Sequence, residues 1–524
     1  MKNPTSTGIP PVNTQMHKSH AVIEWLQWYA ENQYKPLLHD QRRCFSPDVI
    51  LEAGMHGLLG LNVPEQYGGL GLNISSTMRV CQQLGSIDLS LATLLGNHNF
   101  LGILPVMKYG STQLREEYLS PLAQGRQLVS FALSEPGAGS NPMSIRGKAT
   151  IVDDGYLVNA NKMWIGSAGW ASLIITFVKL ADTHSPDRGI TCFAVPRNKP
   201  GVRIGKELLT MGMRGMVQNR ISLDVVKLEQ QYLVGSEEKG MEIANEAMML
   251  ARMTAGATLL GAMKKCIQLM YRYTSRREVS TGLLLKNAIT RQQLGSSIME
   301  ATLLESLVNY IASAADRDIH RIPAELCIIS KVAGSEFVWK AVDTAMQCTG
   351  GRGYLENNYL PQLMRDARVI RIFEGPSEVL VSYMGSKHIR ALDKDQLYDL
   401  VGTQLRQPQL AAELENVYQR SRELLKGNFQ DINLIAFHNG NMLTWVLLLA
   451  VYAGTASSPD PAVISYARQK IHLLTTQLND FKSVFRDYNI DSISTYAEKI
   501  NYDIGNLDML SPDEEYDVDD YFRK

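Results

Sequence analysis

Arg365-Asp366-Ala367-Arg368-Val369-Ile370-Arg371-Ile372-Phe373-Glu374-Gly375-Pro376-Ser377-Glu378 is the stretch on which the fold turns. It follows a glycine cluster, Gly350-Gly351-Arg352-Gly353-Tyr354. Glu374 ends an apolar-flanked run and is followed at once by Gly-Pro. Proline disfavours the helical region for the residue before it. The spacing therefore predicts a backbone break at Gly375 and a carboxylate presented at the end of an element. The other reading is a surface charge at a helix end. The rest of the chain decides between them.

Ahead of this stretch the chain changes texture twice. Val22, Trp25, Leu26 and Tyr29 fall at i, i+3, i+4, i+7, a helical period. Leu61–Asn73, with Pro64 and three glycines, reads as a loop, and Gly110-Ser111-Thr112 reads as a cap into a helix. Residues 17–126 are thus expected to be a helical domain, behind a disordered N-terminus over 1–16. From about 127 the segments become short and β-branched: Leu128–Leu133, Ala149–Val152, Tyr156–Asn159, Leu173–Val178, Ile190–Val195, Val202–Ile204 and Arg220–Val226. Asp153-Asp154-Gly155 is a hairpin turn. Residues 127–236 are expected to form a small β-barrel or sandwich.

Residues 241–276, 282–315, 323–350 and 376–391 each carry the length and apolar stripe of a bundle helix, giving a third domain over 237–392. An extension over 393–524 has helical segments near 408–426, 433–454 and 461–485 and an acidic tail, Pro512–Asp520. The fold class expected is α+β and multidomain: N-terminal helices, a middle β domain, a four-helix bundle and a helical extension.

With 52 Lys and Arg against 53 Asp and Glu, the charge balance argues against a nucleic-acid binder, which needs a basic face. The six cysteines have no CxxC or CxxH spacing and read as reduced structural thiols, with no metal site. No basic-then-apolar leader pattern occurs, and the most apolar run, Met442–Gly454, is short for a membrane span. The expectation is a cytoplasmic protein.

Several motifs, in order along residues 20–392, resemble the FAD-dependent acyl-CoA dehydrogenase family. They are Leu61–Leu72, Phe131-Ala-Leu-Ser-Glu-Pro-Gly-Ala-Gly-Ser140, Asn159–Ile165, Met211-Gly-Met-Arg-Gly215, Gly350–Gly353 and Arg365–Gly375. The resemblance implies FAD as cofactor and an acyl thioester, on CoA or on a carrier protein, as substrate. It also implies a homodimer or homotetramer and an acceptor such as an electron-transfer flavoprotein. Glu374 becomes the base for the α-proton. Some members carry that base on the bundle helix instead, where this chain has Ala251.

The same resemblance implies that Phe131, Leu133, Ser134, Gly139, Ser140, Trp164 and Gly166 contact the flavin. Arg277, Gln347, Gly350 and Gly351 would reach the FAD of a neighbouring subunit, and Pro376 and Glu378 would lie on the cofactor side. Ser140, Arg252, Phe373 and Gly375 would line the substrate. Each has a plainer reading from its own chemistry. Phe131–Ser140 could be a Ser/Gly surface turn, and Trp164 a core residue. Arg252 could be a salt-bridged bundle arginine, and the 350–353 glycines a helix C-cap.

The chain departs from the family's pattern in places. Asn141 stands for an aspartate, Gly166-Ser167 for hydroxyl and amide residues, and Met249 for an aspartate. Pro376 stands for a threonine, and only the arginine survives in Arg277-Glu-Val-Ser-Thr281. These losses touch the flavin periphery and the CoA side, so a carrier-borne acyl group is one expectation. A flavin monooxygenase on the same fold, or a non-catalytic relative using its extension as a binding module, are the alternatives.

Overall fold

The computed structural model describes residues 12–182, 185, 187–392, 394–426, 432–480 and 490–504. The first domain comprises α1 (Val12–Asn32), α2 (Pro36–Arg42), α3 (Pro47–Met55), α4 (Ile74–Ile87), α5 (Leu89–Gly96), α6 (Leu104–Tyr109) and α7 (Thr112–Ala123). Ser111 caps α7 as its sequence predicts, accepting the Leu114 N–H. Residues 12–16, expected to be disordered, belong to α1. Side chains from α1 explain this: Gln15 donates to the Gly71 carbonyl and accepts the Asn73 N–H. The rest of the expected disordered segment lies outside the described residues.

The strands are β1 (Val129–Ala132), β2 (Lys148–Val152), β3 (Gly155–Gly166), β4 (Leu173–Ala181), β5 (Gly189–Pro196), β6 (Val202–Glu207), β7 (Gln218–Leu228) and β8 (Leu233–Val234). They form one eight-stranded sheet in the order β6-β7-β3-β2-β4-β5-β8, with β1 also paired to β4. β4 and β5 are buried along nearly their whole length, whereas β3 and β7 alternate inside and outside. β3 continues through Lys162–Gly166, beyond the expected Tyr156–Asn159. The Asp153-Asp154 turn joins β2 to β3 as anticipated.

The bundle consists of α8 (Gly240–Thr274), α9 (Ala288–Asp318), α10 (Ala324–Thr349), α11 (Tyr359–Ile370) and α12 (Ser377–Ile389). Two differences from the sequence reading stand out. Residues 282–287, expected in a helix, hold instead β10 (Gly282–Leu283), which closes a hairpin with β9 (Glu278–Val279), and a 3-10 turn. α11 was not expected, and it makes Glu374 the end of a helix-plus-turn instead of an apolar run.

The extension contributes α13 (Lys394–Asp399), α14 (Pro408–Leu425), α15 (Ile432–Thr455), α16 (Pro461–Asn479) and α17 (Ile490–Ile504). The acidic tail lies outside the described residues. α15 is 24 residues long, so length does not exclude it from a bilayer. Its burial does set it inside the protein: 78% of its most apolar window is covered, as for the helical run Leu89–Tyr109. α15 packs on α12, α9 and α10, so the extension covers one face of the bundle. One hydrophobic core runs continuously through the N-terminal helices, the bundle and the extension. A second lies in the sheet and takes in α6 and α7.

Candidate active site

The opening stretch lies where all three domains meet. From α11, Arg365 pairs with Asp40 of α2. The buried Asp366 accepts the main-chain N–H of Met213, in the loop before β7. Burial raises the Asp366 pKa well above the carboxylate range, and Asp88 and Asp40 push it the same way. Arg365 and Asp366 thus fasten α11 to its neighbours, and α11 in turn sets the position of Glu374.

Past α11 the chain turns sharply. Glu374 has φ 53° and Gly375 has φ 97°, so two consecutive residues are left-handed. The break predicted from Gly-Pro is present, and it begins one residue earlier. A non-glycine residue in this region is strained and needs its surroundings to hold it. Two cations do so. Arg252 of α8 donates from Nη2 to the Glu374 carbonyl at 3.0 Å and from Nε at 3.3 Å. Lys331 of α10 donates from Nζ to the Gly375 carbonyl at 2.8 Å. Arg252 therefore serves a main-chain carbonyl and, among the described residues, forms no salt bridge, which sets aside the plainer reading of a salt-bridged bundle arginine.

The helix crossing explains why both cations arrive together. Gly256, one turn after Arg252, lies so close to α10 that a Cβ there would be 2.0 Å from Ser330 Oγ. Ser330 itself donates to the Met253 carbonyl at 3.2 Å. This close approach puts Arg252 and Lys331 side by side beneath the turn. Burial raises the Glu374 pKa above the ordinary glutamate value, while Arg252 and then Lys331 pull it down. Burial lowers the Lys331 pKa to about 8, against the opposing pull of Glu374. Among the described residues, no carbonyl accepts the Glu374 N–H. Phe373 packs half-buried on the main core, Pro376 caps α12, and Glu378 is exposed in the first turn of α12.

The flavin candidates on the sheet form a second group. The Ser134 carbonyl accepts the Met163 N–H at 3.1 Å, and the Leu133 carbonyl accepts Lys162 Nζ at 3.2 Å. Leu133, Ser134 and the strand carrying Trp164 are thereby stitched together, with Phe131 half-buried on β1. A register shift between Lys162 and Ile165 throws Trp164 outward with φ 59°. Its side chain is 50% exposed, which corrects the core reading. Gly166 is half-buried near Asn97 and Gln218. Gly139 and Ser140 are exposed, and a Cβ on Gly139 would touch nothing within 4 Å.

A third group lies elsewhere. Arg272 in the last turn of α8, Arg276 and Arg277 just beyond it, and Arg352 after α10 line a cleft of about 460 Å³. Among the described residues none of the four pairs with a carboxylate. Gly350, with φ 60°, ends α10 as a C-cap glycine, and Gly350 and Gly351 face open space beside exposed Gln347. Lys331 and Thr349 are 18 residues apart on α10, about 27 Å along the helix axis, so the arginines and the turn at Glu374 lie toward opposite ends of α10. One chain therefore brings Glu374, Gly375, Phe373 and Arg252 together but holds Arg277, Gln347, Gly350 and Gly351 apart from them.

Two functional-looking residues escaped the sequence reading. Lys162 follows Tyr156, Val158 and Ala160 on the inward face of β3, a period-2 signal for burial. Its ammonium meets the Glu135 carboxylate at 2.8 Å, and Glu135 also accepts the Arg146 and Gly147 N–H groups. Lys331 continues the stripe Cys327, Lys331, Ser335, Val338, Val342 on α10, also a buried pattern.

Comparison with known proteins agrees with this architecture. The chain matches the family models for the acyl-CoA dehydrogenase N-terminal domain over residues 17–126, the middle domain over 130–226 and the C-terminal domain over 238–387. An acyl-CoA dehydrogenase of Bacillus subtilis is 30% identical over 338 residues, covering 64% of this chain and 88% of that protein. The mitochondrial very long-chain specific acyl-CoA dehydrogenase of Rattus norvegicus is 28% identical over 386 residues, 72% of this chain. The match spans only 58% of the rat protein's length. A solved acyl-CoA dehydrogenase of Bacillus anthracis, complexed with FAD, shares the fold with a TM-score of 0.75 at 18% identity. That superposition covers 97% of this chain and 95% of the other, so it takes in the extension.

Proposed function

The chain belongs to the acyl-CoA dehydrogenase family, and on that premise we propose that it dehydrogenates an acyl thioester between Cα and Cβ with bound FAD. The observation that carries the reading is the left-handed turn that presents Glu374, held by Arg252 through its carbonyl.

The residues present fit FAD. Trp164 offers an exposed indole beside Leu133 and Ser134, where a flavin ring would be covered. The four unpaired arginines and the open glycine backbone at 350–351 suit a pyrophosphate. Bound FAD supplies the two-electron oxidant that receives the β-hydrogen as hydride.

Glu374 takes the α-proton. The carboxylate must be ionised to accept it, and the raised pKa from burial makes it a stronger base than a solvated glutamate. The free Glu374 N–H donates to the thioester carbonyl and stabilises the charge that develops there as the α-proton leaves. Phe373, Gly375 and Ser140 border the acyl group, and Ala251 offers no rival base on α8. The separation of the arginine cleft from Glu374 favours an oligomer in which each cleft serves a neighbour's FAD, with an electron-transfer flavoprotein as acceptor.

Glu374→Gln is expected to keep its FAD and to lose at least about 1,000-fold in the rate of anaerobic flavin reduction by substrate, the scale set by removing an essential general base. Turnover close to the unaltered protein's would sink the assignment. The departures at Asn141, Met249, Pro376 and 278–281 support a carrier-borne acyl group over free CoA. Comparing flavin reduction by acyl-CoA and by acyl-carrier protein separates these, and efficient use of the CoA ester alone rejects the carrier.

A further inference from the structure

Lys331 is a fully buried lysine that no step proposed so far uses. Its side chain has no solvent exposure, and its ammonium is aimed at one carbonyl, that of Gly375. A buried lysine is unfavourable unless its charge is used. The groups facing it come from every element around it: Glu374 from the turn, Arg252 from α8, Glu336 on its own helix and Glu378 from α12. Glu336 is engaged by Arg371 Nε at 2.8 Å, and Glu378 is exposed at the start of α12. Glu374 is the strongest of its partners.

We propose that Lys331 is a positioning residue for the Glu374 base. With Arg252 it pins the left-handed turn by its two consecutive carbonyls, and its charge keeps the Glu374 carboxylate in the proton-accepting form. The inference rests on the reading of Glu374 as base. The two cations divide the work by geometry. Arg252 grips the carbonyl of Glu374, and Lys331 grips that of Gly375, the residue at which the chain turns into α12. Losing either grip lets the strained φ of Glu374 relax. Losing the Lys331 charge also leaves burial opposed by one cation instead of two, which raises the pH at which Glu374 gains its proton. Glu374 opposes the lowering of the Lys331 pKa by burial, and Lys331 opposes the raising of the Glu374 pKa, so each group favours the charged form of the other.

The test compares Lys331→Met and Lys331→Arg with the unaltered holoenzyme and with Glu374→Gln. FAD content and thermal melting are recorded for each. In Lys331→Met, anaerobic flavin reduction is expected to slow on the order of 10- to 100-fold at neutral pH, the range of one charged hydrogen bond. The acid limb of its pH profile should move to higher pH. The Glu374 carboxyl band, identified by infrared difference against Glu374→Gln, should persist to higher pH without any turnover. Lys331→Arg should restore most of the rate. An unmoved acid limb and an unmoved band in folded Lys331→Met would overturn the proposal, even with a slower rate. Should Lys331→Met not fold, the reciprocal measurement decides. In Glu374→Gln the Lys331 ammonium, followed by 15N-lysine NMR, should titrate lower than in the unaltered protein, and an unchanged titration would overturn it. A fully active Glu374→Gln rejects the base itself. An inactive one beside an unperturbed Lys331→Met rejects only the role of Lys331.

Discussion

Glu374 and Lys162 show how single residues gain meaning from backbone they do not share. The carboxylate of Glu374 could be suspected from Gly375-Pro376, because a proline constrains its predecessor. What could not be read was that Glu374 itself turns left-handed, since that depends on carbonyl acceptors offered to α8 and α10. Lysines at 162 and 331 read as surface residues by type, and only their place in a strand or helix period marks them as buried. Lys162 matters beneath the flavin candidates: it joins the Leu133 and Phe177 carbonyls to Glu135. Lys162→Met leaves a buried carboxylate without its cation and should cost about 3–5 kcal/mol in urea unfolding. It should also loosen FAD. Glu135→Gln combined with Lys162→Met should recover part of the stability, because no lone charge remains. A loss under 1 kcal/mol for the single change would show the pair to be idle.

At the level of elements, the helices and strands with clean periods were legible, and the elements set by tertiary contact were not. α11 was missed because its polar residues, Gln362 and Asp366, are buried by pairing with Asp88 and the Met213 N–H. Nothing in the local pattern announces such partners. The sequence leaves open whether the extension covers a face of the bundle or mediates assembly; the structure shows the covering, with α12 and α15 joined through a polar contact in an apolar setting. His388 of α12 is fully buried, with Nδ1 3.0 Å from Asn439 Oδ1 of α15 and Nε2 3.4 Å from the Tyr398 hydroxyl of α13. Burial lowers its pKa, with Lys394 adding to that and Asn439, Glu415 and Glu325 opposing it. A depressed folded pKa means the unfolded chain binds the proton more readily. The stability tied to His388 is therefore present above the unfolded value of about 6.5 and is lost as pH falls through the folded one. His98, with a pKa of about 4, adds a loss of its own in the same direction. The difference between the unaltered chain and His388→Asn isolates the first. Melting temperatures measured from pH 8 to pH 5 should fall less steeply in His388→Asn; parallel slopes would remove His388 from the account.

At the scale of the whole molecule, one chain places its two candidate regions toward opposite ends of α10, Lys331 under the Glu374 turn and Thr349 at the arginine cleft. Subunit mixing reads this directly. Glu374→Gln subunits lack the base, and Arg277→Ala subunits weaken the cleft, so each assembly alone should be poorly active. In a mixed dimer one site would draw both defects and the other would draw neither. Co-expression should therefore restore activity, whereas two regions serving the same chain would give no recovery. The family motifs made the architecture readable over residues 20–392, since they occur in order. They could not convey which groups in one chain face each other.

The extension has a consequence for symmetry. By sealing one side of the bundle with α15, the chain withdraws that surface from pairing with another copy. The arginine-lined end of α8 and α10 remains open. An exchange in which each protomer's cleft completes the other's site is satisfied by a two-fold axis and closes on itself. Dihedral assemblies need a second, independent contact. The smallest competent particle would then be a pair, carrying two flavins and no vacant cleft.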